Sequence, residues 1–184
     1  MKVEKKHTKR LSTVFLAIAI LSLLLILSKE VRVLVFILAF IGLNVVVTAY
    51  KRYFAAPIEI EVLSLGIVLC SVAFGLPAGL FVAIIGGIVY TVLSTNFSPF
   101  TIPMMLGYIM MAILSFFLAH VFPGINISFL GIIVNLLHNL FVFFIYDGIF
   151  GYDVWKNAVF SISNFTFNAI IFLNLAPFLF SIMK

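Results

Sequence analysis

Residues 62–146 contain no aspartate, glutamate, lysine or arginine, an unbroken stretch of 85 residues between Glu61 and Asp147. At about 20 residues per crossing, this stretch is long enough for about four transmembrane helices. Over all 184 residues, 65% are hydrophobic and 9% are charged, whereas soluble domains contain roughly 25% charged residues. The sequence therefore predicts an all-α integral membrane protein in contact with the lipid bilayer. It excludes soluble enzyme folds, disulfide scaffolds and partners such as nucleic acid.

Seven apolar segments predict a transmembrane bundle of six or seven helices, a multi-pass protein of the cell membrane. Residues 1–10 form a basic flank of the cytoplasmic type, and residues 11–32 hold an extra N-terminal hydrophobic helix and a short loop. A cleaved signal peptide is the alternative interpretation of that extra segment. Residues 33–184 form a six-helix membrane domain, whose predicted helices are 33–50, 62–74, 78–94, 101–121, 128–146 and 157–180.

The distribution of lysine and arginine predicts an orientation, because cytoplasmic loops carry more of them. If all seven segments cross, eight basic residues lie on the side of the N-terminus and three on the other side. This count favours a cytoplasmic N-terminus and an external C-terminus. It holds only if the first segment spans the membrane, since every later loop would otherwise change sides.

Small residues of the fourth apolar segment share one helical face, which allows a neighbouring helix to approach closely. A Gly-Leu-Pro turn precedes this segment. Two interpretations stay open: packing within the protein, or a docking surface for another membrane protein. The residues concerned are Gly75, Gly79, Ala83, Gly86 and Gly87.

Amide side chains are concentrated on the last two apolar segments. On the sixth, Asn135, His138 and Asn139 recur at helical spacing and project from one side. On the seventh, Asn164 and Asn168 share a face. Polar groups in hydrocarbon usually face the bundle interior or a water-filled cavity. The pattern therefore indicates either hydrogen bonds between helices, with His138 in the same network, or a polar cavity for a small solute.

The sequence offers no catalytic arrangement. It lacks a Walker motif, so the chain does not hydrolyse ATP itself. It also lacks a combination of nucleophile, base and orienting acid, and the histidines have no convergent ligands for a metal. We therefore expect no enzyme activity, no metal and no cofactor.

From about residue 33 onward, roughly four-fifths of the chain resembles the substrate-binding S components of energy-coupling factor (ECF) transporters. The rod-shape membrane protein family MreD shares some of these features. They are the polar stretch before the third segment, the run Phe74-Gly75-Leu76-Pro77-Ala78-Gly79 followed by Gly86-Gly87, Pro103 with Tyr108, and Leu175-Ala176-Pro177 after the Asn-rich helix.

The resemblance to S components implies a passive binder that docks on a transmembrane coupling protein driven by two ATPases. It implies that the loops at 51–61, 95–99 and 147–156 face outside and cover a pocket, which differs from the seven-crossing charge count. A pocket for a small-molecule solute would then use five predicted substrate-binding residues, with the tryptophan available for stacking: Asn139, Asp147, Trp155, Asn164 and Asn168. The alternative is an MreD-like membrane scaffold that holds a cell-envelope complex together through the glycine face.

Overall fold

The computed structural model describes residues 28–49, 58–93 and 101–184. This part of the chain contains helices and short connections without a strand, which confirms the predicted all-α membrane bundle. Its helices are α1 Lys29–Thr48, α2 Leu63–Phe74, α3 Leu76–Leu93, α4 Thr101–Val121, α5 Ile127–Gly148, α6 Val154–Asn174 and α7 Ala176–Met183. The basic flank and the predicted helix at 11–27 lie outside the described residues.

Four of these helices, α1, α3, α4 and α5, are long and apolar enough to cross a membrane. Together, α6 and α7 would form a fifth span, with a bend of 56° between their axes. The described residues thus hold four or five spans, where the sequence predicted six helices. The difference arises at α2, whose 12 residues cover only about 18 Å, against a hydrocarbon core about 30 Å thick.

The short helix α2 lies at the centre of the bundle. Residues 63–71 are all buried, and α2 contacts each of the other six described helices. A helix that is apolar on every side is typical of a fully buried position. Protein rather than lipid surrounds α2. The unpaired peptide groups at its ends can therefore bond to polar side chains, and its length need not match the thickness of the membrane.

One residue, Gly75, connects α2 to α3. Its φ of +96° lies in the region that glycine adopts without steric cost. Pro77 then sits in the first turn of α3, where a helix does not need the N–H that proline lacks. This geometry agrees with the tight hairpin that the sequence predicts.

The small residues of α3 face the interior. A Cβ added at Gly79 would overlap Ser71 of α2, and one added at Gly86 would overlap Leu63. The buried small residues of α3 are Ala78, Gly79, Ala83, Gly86 and Gly87. The opposite face exposes Phe81, Ile84, Ile85, Ile88 and Val92. Of the two interpretations of the glycine face, the structure therefore supports packing within the protein.

The last predicted helix, at 157–180, is corrected by the structure. It begins earlier, at Val154, and α6 ends at Asn174. The chain then bends at Leu175 and continues as α7. Pro177 explains the break, because its ring lacks the N–H that would bond the carbonyl of Leu173 and also clashes with that carbonyl.

Six helix ends lie at one end of the bundle: the carboxyl ends of α1, α3 and α5, and the amino ends of α2, α4 and α6. The Val62 N–H donates to Asn44 near the end of α1, and the Tyr90 hydroxyl near the end of α3 donates to Glu59. Gly87 of α3 lies beside Met105 of α4, and Asn157 Nδ2 at the start of α6 donates to the Phe143 carbonyl of α5. We call this the carboxylate end, and it is defined by Asp147 and Asp153.

Candidate functional site

A buried glutamate marks the candidate site. Glu61 lies just before α2 and is 0% exposed. Its carboxylate accepts hydrogen bonds from the Ser64 N–H, at 3.0 Å, and from the Ser64 hydroxyl. From α6, the Nδ2 atoms of Asn168 and Asn164 lie 3.2 and 3.5 Å from Glu61 Oε1. All of these donors are uncharged, so the described hydrogen bonds bring no cationic group to the carboxylate.

Asn164 connects Glu61 to α5. Its Oδ1 accepts from Asn139 Nδ2 at 2.9 Å and from Asn135 Nδ2 at 3.3 Å. Asn135 Nδ2 also lies 3.4 Å from Ser64 Oγ, which closes the network around the start of α2. None of the six side chains is more than 4% exposed. We call them the amide–carboxylate cluster: Glu61, Ser64, Asn135, Asn139, Asn164 and Asn168.

The cluster surrounds the amino end of α2. The first N–H groups of a helix have no partner within it and carry positive partial charge. Here the N–H groups of Val62 and Leu63 donate to Asn44 Oδ1 of α1, at 2.8 and 3.2 Å. The N–H of Ser64 donates to Glu61. The start of α2 is thus capped by side chains, and its dipole stabilises the buried carboxylate.

Besides Nδ1 of His138, four buried side-chain atoms of α5 and α6 have no hydrogen-bond partner among the described residues. They are Oδ1 of Asn139, Asn157 and Asn168, and Oγ of Ser161. Buried polar groups are normally paired, and each unpaired one costs about 1–3 kcal/mol. Three of the four are amide oxygens, which can only accept. This face of α5 and α6 therefore presents hydrogen-bond acceptors.

A second buried carboxylate, Glu59, connects the same segment to two further helices. It is 1% exposed, and its Oε1 accepts from the Tyr90 hydroxyl of α3 at 3.0 Å. Its backbone N–H donates to Ser163 Oγ of α6 at 2.9 Å. Residues 58–62 are therefore held against α3 and α6 by polar contacts.

Three of the five predicted substrate-binding residues, Asn139, Asn164 and Asn168, belong to the amide–carboxylate cluster. Asp147 and Trp155 do not: both are exposed at the carboxylate end, and Trp155 is 76% exposed. The structure does not bring either residue to the other three. The role of Trp155 in stacking on a solute stays a prediction.

The five predicted substrate-binding residues do not include Glu61, Ser64 or Asn44, although the loop at 51–61, which ends at Glu61, was expected to cover the pocket. The signal for Glu61 was present, because this glutamate directly precedes an apolar helix and 85 residues without a charge. An ionisable side chain at membrane depth is a functional-site hypothesis by default. Ser64 and Asn44 carried no comparable signal, since isolated serine and asparagine residues occur elsewhere in these helices.

His138 has a different environment from the one predicted. Its ring stacks on that of Tyr108, with 5.1 Å between ring centroids and an interplanar angle of 6°. The hydrogen bonds of Asn135 and Asn139 run to other cluster residues, so the predicted sharing of their network is corrected. Across residues 28–49, 58–93 and 101–184, no group of three or more His, Cys, Asp or Glu side chains could hold a metal ion.

No family model, no curated protein and no solved structure matches the chain. The functional argument therefore depends on the geometry of the amide–carboxylate cluster.

Proposed function

We propose that this chain is the small-molecule-binding subunit of a transporter, a multi-pass protein of the cell membrane similar to the S components of ECF transporters. The observation that carries this proposal is the amide–carboxylate cluster in the middle of an apolar bundle. Ionisable groups within membranes are rare and mark substrate or ion pathways. The cluster also retains two unpaired acceptors, Asn139 Oδ1 and Asn168 Oδ1, with which a solute could bond.

Helix association alone does not account for this arrangement. Hydrogen bonds between membrane helices stabilise by only about 0.6 kcal/mol on average. A charged side chain at the centre of a helix costs about 2.5–3.5 kcal/mol on insertion scales. Amides without Glu61 would therefore hold α5 and α6 together at lower cost. Glu61 also caps α2, and a binding role would explain why this cap is a carboxylate and not a neutral acceptor.

The proposal includes two kinds of partner: ATPases that would supply energy, and a transmembrane coupling protein that would contact this chain. The sequence lacks a Walker motif, so ATP hydrolysis would come from two separate ATPases through a transmembrane coupling protein. The glycine face of α3 is buried against α2, so a coupling protein would contact a different, exposed apolar face. The solute would reach the cluster from the carboxylate end, which faces outside in S components.

Solute binding tests the proposal directly. Dialysable small molecules of a cell extract should raise the melting temperature of the purified protein in lipid nanodiscs. Asn168→Leu should raise the extract concentration needed for half the shift about 10- to 100-fold, because it removes a buried bond to a charged group. Asn174→Leu is the matched control, since Asn174 is exposed on the same helix and bonds only the Ile170 carbonyl. Equal responses of both variants would refute the site.

The MreD-like scaffold is the competing function. It would use the glycine face as its docking surface, and that face is occupied by α2 and α4. Co-purification from native membranes separates the two functions. We expect ATPases to accompany the tagged protein, whereas recovery of cell-envelope proteins without ATPases would favour the scaffold.

A further inference from the structure

The charge of the cluster limits which solutes it can accept. Glu61 is fully buried, and its described donors are the Ser64 N–H and hydroxyl and the amides of Asn164 and Asn168. These donors solvate the carboxylate without neutralising it. Burying an ionised group is strongly unfavourable unless a counter-charge pairs with it, and among the described residues no cationic side chain bonds to Glu61. A positively charged solute beside Glu61 would remove that cost, and an anionic solute would add to it.

The unpaired acceptor atoms also favour a positively charged solute. Asn168 has its Nδ2 bonded to Glu61 at 3.2 Å, and its Oδ1 is unpaired. Asn139 has its Nδ2 bonded to Asn164 at 2.9 Å, and its Oδ1 is also unpaired. Both side chains are at most 4% exposed. The complement of a carboxylate and two free amide oxygens in the same cluster is a charged group with several N–H donors.

The spacing of the acceptors favours an organic solute over a bare metal ion. Asn157 and Asn168 lie eleven residues apart on α6, about 16 Å along the helix axis. Ser161 lies between them, and its Oγ is also unpaired. Oxygen ligands of a bound ion lie within about 2.0–2.6 Å of it, so one ion could not serve the whole row. The row begins near the carboxylate end and leads inward to Glu61.

We infer that the cluster binds a small organic cation with N–H donors, a protonated amine or an amidinium, whose charged group is held by Glu61 and by Oδ1 of Asn139 and Asn168. This inference rests on the proposed function and specifies its substrate class. Asn157 and Ser161 lie on the same helix, between the carboxylate end and the cluster.

Fractionation of the extract by charge tests the inference. A dialysable cell extract is separated on a cation exchanger into a retained and an unretained fraction, and both are desalted. Each fraction is added to the full-length protein in nanodiscs, and the melting temperature is recorded. We expect only the retained fraction to stabilise the wild type. In Glu61→Gln, the concentration of that fraction for half the maximal shift should rise about 10- to 100-fold.

The controls separate this inference from the proposed function. Glu30→Gln changes an exposed glutamate at the start of α1 and should respond as the wild type does. If Glu61→Gln does not fold, Glu61→Asp keeps the charge and should still select the retained fraction. Stabilisation by the unretained fraction, or by sodium chloride alone, overturns the inference and leaves a binding function standing. Stabilisation by neither fraction overturns both. An unchanged response of Glu61→Gln to the retained fraction also overturns the inference.

Discussion

A Glu61→Leu variant is expected to lose about 3–5 kcal/mol of unfolding free energy, since two or more buried donors would each lose their acceptor at about 1–3 kcal/mol. The Ser64 N–H and Asn164 Nδ2 have Glu61 as their described acceptor. Leucine offers neither of them a replacement. The amino end of α2 would also lose the carboxylate that its dipole stabilises. Because α2 contacts all the other described helices, we expect the loss to affect the whole bundle.

Denaturation by sodium dodecyl sulfate in mixed micelles, followed by circular dichroism, measures this loss. Glu61→Gln is the informative comparison, because glutamine keeps one acceptor oxygen and removes the buried charge. Without solute, Glu61→Gln should be about 1–3 kcal/mol less stable than the wild type and more stable than Glu61→Leu, because its amide nitrogen faces either the Ser64 N–H or the Asn164 and Asn168 amides, which are also donors. Glu30→Leu provides a control at an exposed position in the first turn of α1 and should shift the transition much less than Glu61→Leu does, because an exposed acidic residue at a helix start contributes only modestly to stability. A Glu61→Leu protein as stable as wild type would show that the cluster does not hold the start of α2.

Gly131→Ala is expected to destabilise the protein by about 1–3 kcal/mol, the usual cost of overpacking a filled core. A Cβ at Gly131 of α5 would overlap the ring of Phe172 on α6. That ring is 0% exposed, so it has no free space into which it could move. The absence of a side chain at Gly131 gives the Phe172 ring its space between α5 and α6. The same two helices carry the amides of the cluster, so widening their separation would also weaken the bonds to Asn164.

Gly42→Ala is the matched control for Gly131→Ala, because nothing lies within 4 Å of a Cβ at Gly42 of α1. Alanine there should be neutral or stabilise by about 0.5–1 kcal/mol through its higher helix propensity. The same denaturant titration measures both variants. If Gly131→Ala matched Gly42→Ala, the close contact between α5 and α6 would not contribute to stability.

Much of the fold follows from the sequence because hydropathy and helix breakers act locally. The single-residue turn at Gly75 and the start of α4 at Thr101 are both marked by nearby prolines and glycine. The central, protein-enclosed position of α2, which does not span the membrane, was not predicted in this way. Its composition is as apolar as that of a span, and only its position among the other helices reveals that protein surrounds it. The division of α6 from α7 was signalled by Pro177, although the apolar pattern continues through it.

The candidate site was predictable only in part. Helical spacing is sufficient to place Asn164 and Asn168 on one face, and polar faces in membranes turn inward. Their connection to Glu61 joins residues more than 100 positions apart in sequence, which no local pattern encodes. Trp155 shows the converse case, a residue that the sequence pattern assigned to the site and that the structure places outside it. An aromatic residue near a polar loop suggests a binding role, but the cap of α6 turns it outward.

The short central helix has a consequence for how the protein enters the membrane during synthesis. With 12 residues preceded by two glutamates, α2 is too short to be retained in lipid as an independent helix, for which about 20 apolar residues are needed. Because a single residue connects it to α3, we expect the two helices to enter the membrane together as one hairpin. The later helices then enclose α2, and Glu61 becomes shielded from lipid only when α6 supplies its amides. Insertion of this chain is therefore complete only after its last long helix has been made.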